Sequence, residues 1–125
     1  MAIVFATQYL MEAVDLPDLT LPNNISDPAN QAYDQNALIG AVAGVAKRTV
    51  VVLQTGTAVT MPWLGNVQAV LQAWYPGQEA GHAIADVLLG QADPGGRLPQ
   101  TWPRRLADSV AQHDPLHYPG VDGRV

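Results

Sequence analysis

The sequence predicts an α/β fold: a partial three-layer α/β/α sandwich on a mostly parallel sheet, followed by a long irregular C-terminal tail. Three observations lead there. Strand-like and helix-like segments alternate along the chain, the order that joins parallel strands through crossovers. The strand segments are apolar throughout rather than alternating, as strands buried on both faces are. Beyond Gly90, Pro94, Pro99, Pro103, Pro115 and Pro119 fall among glycines and no helical or strand period survives.

The elements follow in order. Ile3-Val4-Phe5-Ala6 is a short uninterrupted apolar run, a buried strand at the start of the chain. Residues 13–29 read as a loop, broken by Pro17, Pro22 and Pro28 and carrying the turn-forming pairs Asn23-Asn24 and Ser26-Asp27. The spacing of Leu38, Ile39, Val42, Val45 and Ala46 predicts a helix from Gln35 to Ala46, with Asp34 as its N-cap and Lys47 and Arg48 closing it. Gly40 and Gly44 weaken that helix by roughly 1 kcal/mol each relative to alanine. Thr49-Val50-Val51-Val52-Leu53 is β-branched, uncharged and the clearest strand. Pro62-Trp63-Leu64 suits a helical turn, and residues 67–74 form a third strand candidate. Gly77 then turns the chain into a helix over Gln78–Leu89, with Ala80, Ala83, Ile84, Val87 and Leu88 on one face and Gly90 just past its end.

Three strands and two helices scarcely cover both faces of a parallel sheet. At 125 residues the chain reads as one domain, 1–125, incomplete as a sandwich, with 91–125 as its tail. Exposed strand edges and apolar faces then predict self-association into a homo-oligomer.

Composition narrows the function. An apolar share of 48% is globular, and 14% charged residues is sparse for a small domain, so part of the surface expects a cover. A net charge of −5, with six basic residues in no long run, argues against nucleic acid. There is no cysteine, hence no disulfide framework or thiolate metal site. The apolar start lacks a basic flank and is too short to span a bilayer, so the reading is a soluble chain with no visible signal peptide or membrane segment. No phosphate-cradling glycine motif occurs, and neither Ser26 nor Ser109 lies in a nucleophile elbow. Glu79-x-x-His82 has the spacing of a di-iron carboxylate motif, but such a site takes two copies and two further glutamates. Glu79 and His82 therefore read as surface residues of the helix. His113 and His117 straddle Pro115 and make no metal pair. No cofactor or metal is expected.

Serial motifs add a family. Met11-Glu12-Ala13-Val14-Asp15, Leu19-Thr20-Leu21-Pro22, Thr49–Gly56 with Met61-Pro62-Trp63-Leu64, Trp74-Tyr75-Pro76-Gly77-Gln78-Glu79, Ala85-Asp86-Val87-Leu88, Asp93–Pro99 and His117-Tyr118-Pro119-Gly120 occur in that order. Together they resemble the C-terminal sandwich domain of family 3 glycoside hydrolases, of β-glucosidase type, over nearly the whole chain. The resemblance implies hydrolysis of terminal β-D-glucosyl residues from a β-glucoside or short oligosaccharide with retention of configuration. It implies Glu12 as general acid/base and a nucleophilic Asp on a separate (β/α)8 barrel domain. The two carboxylates of a retaining enzyme stand about 5–5.5 Å apart.

Two positions depart from the family pattern: Ala13 stands where glycine is usual, and Leu16 where arginine often follows the Asp. Asp15 is the candidate supporting carboxylate beside Glu12, with Asp18 a further local acid, and Trp102 is a candidate sugar-stacking or partner-contacting residue. Trp74 reads as core or domain-interface packing. The reading from a different class is a non-catalytic, carbohydrate-binding or self-assembling domain without a nucleophile.

Overall fold

The computed structural model describes residues 1–13, 16, 18–22 and 34–109. Among these, three parallel strands form one sheet in the order β1 (Ala2–Thr7), β2 (Thr49–Gln54), β3 (Ala69–Gln72). Register places Val4 beside Val51 and Val51 beside Val70, with Ala6, Leu53 and Gln72 in line one pleat further on. Helix α1 (Gln35–Val45) links β1 to β2, a 3-10 turn at Leu64–Asn66 precedes β3, and helix α2 (Ala80–Leu88) follows it. The α/β architecture and parallel sheet read from the sequence are what the chain forms.

Period-two alternation divides the sheet into two faces. One carries Val4, Ala6, Val51 and Leu53, which form the core with Ile39 of α1, Leu21, Val59 and Trp63. Burying those side chains is worth roughly 1.5–3 kcal/mol for each large one. The opposite face is covered unevenly. Val52 is fully buried there, while Ile3 and Phe5 on β1 are 41% and 51% exposed.

The elements sit close to their expected places, and the differences have local causes. Helix α1 starts where Asp34 accepts a hydrogen bond from the Ala37 amide at 3.0 Å. Its buried arc is narrower than the periodicity implies: Ile39 is in the core and Val42 beside it, but Leu38 and Val45 are exposed. Those two fall on the flank of an arc centred between Ile39 and Val42. Lys47 and Arg48 lie beyond the cap at Ala46, so neither neutralises the helix end from its last turn. Instead the Arg48 carbonyl accepts from the Ala2 amide at 2.8 Å and opens the β1–β2 ladder.

Strand β3 is shorter than residues 67–74 because Trp74 turns to φ +56°, a left-handed conformation no strand contains. The helical turn forms two residues later than Pro62-Trp63-Leu64, at Leu64–Asn66. Helix α2 begins after a turn in which the Gly77 carbonyl accepts from Ala80, and ends at Gly90, whose φ of +74° suits glycine.

The described part of the tail, to Ser109, is irregular but attached. Trp102 packs against the core margin and meets Trp74 edge-on, centroids 6.4 Å apart at 70°. A 3-10 turn at Leu106–Asp108 is tied by Arg105, whose Nη2 donates to Asp108 Oδ1 at 2.8 Å. That hydrogen bond holds the Asp108 carboxyl below the usual carboxylate range. A depressed acid contributes above its unfolded pKa and loses the contribution as pH falls, yet this pair is solvent-exposed and adds little. No helix among the described residues is long and apolar enough to cross a membrane.

Candidate functional site

Parallel sheets gather their sites outside the carboxyl ends of the strands, because the connecting loops converge there. In this chain the loops after β1, β2 and β3 interlock at that edge. The Gln8 amide donates to the Gln54 carbonyl at 3.1 Å, extending the β1–β2 ladder one residue past the end of β1. The Tyr75 hydroxyl reaches over from beyond β3 and donates to the Gln8 carbonyl at 2.6 Å. Between them lies Gly56, where a Cβ would stand 2.5 Å from Leu10 Cδ1 and 2.7 Å from Tyr75 Cε2. A side chain there would displace Leu10 or the Tyr75 ring, so a glycine lets the three loops close on one another as they do. Gln72 Nε2 donates to the Thr55 carbonyl at 2.8 Å and fixes the loop after β2 from the third strand.

The other flank of β1 is held by one side chain. Gln35, the first residue of α1, is buried. Its Oε1 accepts from the Thr7 amide at 2.8 Å, and its Nε2 donates to the Thr7 carbonyl at 2.9 Å and to the Pro22 carbonyl at 2.8 Å. An amide side chain thus does for Thr7 what a neighbouring strand would do. The returning segment is pinned as well: the Thr60 amide donates to the Leu19 carbonyl at 2.8 Å, and Leu21 is fully buried in the core.

Glu12 projects from this frame. It lies in an exposed turn five residues beyond the end of β1. The next residue, Ala13, has φ +62°. A non-glycine residue there costs about 1–2 kcal/mol, which gives the glycine usual at this position in the resembled family its physical reason. Ala13→Gly is expected to raise stability by up to about 1 kcal/mol, the relief of the strained φ being offset by glycine's larger unfolded-state entropy. Chemical denaturation with an unchanged m-value checks it, and a loss of stability would count against the strained turn.

The other predicted residues are placed as follows. Asp15 lies outside the described residues. Asp18 spends Oδ1 on the Thr20 amide at 2.6 Å, in a local turn. Trp102 is half-buried and, with Leu53, Met61, Val70, Trp74 and Leu98, lines a cavity of about 440 Å³ at the β3 side of the sheet. Glu12 is not among the walls of that cavity, so the structure does not bring Glu12 and Trp102 into one enclosure. Glu79 and His82 form an exposed pair, Oε2 to Nδ1 2.7 Å, and no group of three potential metal ligands occurs among the described residues. His113 and His117 fall outside the described residues.

Two residues at the site have no sequence signature. Gln35 is an ordinary helix-start residue by sequence, and only the fold turns it toward Thr7. Gln8 is 3% exposed, and neither end of its side-chain amide has a hydrogen-bond partner among the described residues. A buried amide left unpaired costs about 1–3 kcal/mol, and Gln8 stands four positions before Glu12 in the sequence.

Comparison with known proteins fits this frame. The family model described as "Glycosyl hydrolase family 3 C-terminal domain" matches residues 1–123. A β-glucosidase of Rhizobium radiobacter is 54% identical over 115 residues, covering 91% of this chain and 13% of the relative. Thermostable β-glucosidase B of Acetivibrio thermocellus is 41% identical, covering 99% of this chain and 15% of its own length. Among solved structures, DesR, a β-glucosidase from Streptomyces venezuelae crystallised with D-glucose, superposes with a TM-score of 0.81 at 41% identity, over 98% of this chain and 14% of that one. The chain therefore spans less than one-sixth of the length of each of these relatives.

Proposed function

Because the chain belongs to the glycosyl hydrolase family 3 C-terminal domain family, we propose that it serves a β-glucosidase, the cleavage of terminal β-D-glucosyl residues, and that Glu12 is the acid/base half of the site. The observation that carries the reading is the placement of Glu12: an exposed carboxylate on a left-handed turn, beyond the carboxyl end of β1, on a loop braced from β2, β3 and α1. A proton donor must be held still and face outward toward a substrate bound elsewhere, and an exposed carboxylate on a loop tied at Thr7 and Gln8 supports that reading.

The chemistry runs in two steps. In the first, the nucleophilic carboxylate attacks the anomeric carbon as Glu12, protonated, gives its proton to the departing glycosidic oxygen. In the second, Glu12 as carboxylate takes a proton from water, which displaces the enzyme carboxylate and releases glucose. The nucleophile is supplied by a barrel domain outside these 125 residues. That domain also supplies the enclosure that an exposed Glu12 lacks.

Hydrolysis of an aryl β-glucoside is the test. The chain is assayed alone and mixed with a (β/α)8 barrel domain bearing the nucleophilic Asp. Activity that arises only in the mixture supports the division of labour. A mixture that associates yet stays inert overturns it and leaves the non-catalytic reading.

A further inference from the structure

Three hydrogen bonds meet on two successive peptide groups where β1 ends. The Thr7–Gln8 peptide is held at both its polar groups. Gln35 Nε2 donates to the Thr7 carbonyl at 2.9 Å, and the Gln8 amide donates to the Gln54 carbonyl at 3.1 Å. The next peptide, Gln8–Tyr9, is held by Tyr75, whose hydroxyl donates to the Gln8 carbonyl at 2.6 Å. Each peptide is a rigid plane, so two held planes fix both torsions of Gln8 between them. Gln35 and Gln54 thus settle where the strand stops. Tyr75 settles the direction in which the chain leaves for Glu12.

The backbone is shaped for that reach. Among the described residues only Ala13 and Trp74 take a positive φ without being glycine, +62° and +56°. One directly follows Glu12 and the other directly precedes Tyr75. A bulky residue in the left-handed region is rare, and it persists where its surroundings over-determine it. Here the Trp74 ring is seated edge-on against Trp102, and the turn sends Tyr75 back across the sheet edge to Gln8. The Tyr75 ring also crowds the space over Gly56 together with the side chain of Leu10, two residues before Glu12.

Given the acid/base role proposed above for Glu12, we infer that Tyr75 is its positioning residue, acting through the Gln8 carbonyl and the Leu10 side chain. Glu12 stands four residues beyond Gln8, at most about 14 Å of chain. A swing of about 5° in the Gln8–Tyr9 plane then moves the carboxylate by about 1 Å, a misplacement that can cost about 10²-fold in rate.

Tyr75→Phe removes the hydroxyl and keeps the ring. If it does not fold, Gly56→Ala takes its place, since the added methyl would displace Leu10 or the Tyr75 ring. Amide hydrogen exchange of the chain reads the brace without any activity. Residues 8–13 are expected to exchange several-fold faster in the variant, with α1 and β2 unchanged. In an assembled enzyme, Tyr75→Phe is expected to lower kcat/KM for an alkyl β-glucoside about 10- to 100-fold. A nitrophenyl β-glucoside, whose leaving group needs little protonation, should lose much less. On a Glu12→Gln background the same substitution is expected to cost nothing further, because the two residues serve one proton transfer. Unchanged exchange overturns the brace, whatever Glu12 does. Faster exchange with full turnover, an equal loss for both substrates, or a loss that adds to that of Glu12→Gln overturns the positioning role. Glu12→Gln at wild-type turnover overturns the acid/base reading and the positioning role with it, while the exchange rates still decide the brace.

Discussion

Glu12→Gln is expected to lower glucosidase turnover by about 10²–10⁴-fold in an assembled enzyme, the usual contribution of a positioned acid/base group. Glutamine keeps the volume and a hydrogen-bonding head but neither gives nor takes the proton. The loss should depend on the leaving group. A nitrophenolate departs with little help, so the first step survives and the second, which needs a base, becomes limiting. An alkyl glucoside or cellobiose needs protonation and should lose more. A small anionic nucleophile such as azide, which needs no base, should restore the second step and give a β-glucosyl azide. Turnover unchanged by the substitution, or azide without effect, removes Glu12 from the mechanism. Ala13→Gly in the same background serves as a control on the turn itself.

The largest expected effect on stability is at Gln35. Replacing it by leucine keeps the bulk and removes three hydrogen bonds, two to Thr7 and one to Pro22. Three backbone groups then lose their partners, part-way out of water, at a cost of about 2–4 kcal/mol. For a chain of this size that is a fall in Tm of roughly 10 °C. Gln35→Glu separates hydrogen bonding from packing. It keeps the acceptor for the Thr7 amide but turns both donations into repulsions between oxygens. If leucine and glutamate variants both melt with the wild type, the side chain does not hold β1 as described.

Much of the fold was legible because the signals were local. Val50-Val51-Val52-Leu53 could hardly be anything but a buried strand. Asp34 and Gly90 mark helix ends by chemistry that acts within one turn, and each is where the expectation put it. What sequence misjudged depends on tertiary direction. Leu38 and Val45 share a helical stripe with Ile39, yet which part of the stripe meets the sheet is set by where β1 and β2 lie. Trp74 ends β3 by taking a positive φ, and nothing in an apolar run ending in tryptophan announces that.

The site divides in the same way. Glu12 is proposed through its neighbours in serial motifs, not through any property of a glutamate. The residues that brace it could not be found so. Tyr75 reaches Gln8 across 67 positions and Gln35 reaches Thr7 across 28. Gly56 matters because two side chains from elsewhere crowd it. Such roles belong to the folded surface and leave no trace in spacing.

The sheet order carries a consequence for how the molecule comes together. Bringing β2 against β3 closes the span 55–68, while bringing β1 against β2 closes the span 8–48, about three times as long. The longer closure costs about 1 kcal/mol more in chain entropy. Loop closure thus favours the β2–β3 ladder over the β1–β2 ladder as a seed. Glu12 lies five residues beyond the end of β1, so its position hangs on the costlier of the two closures.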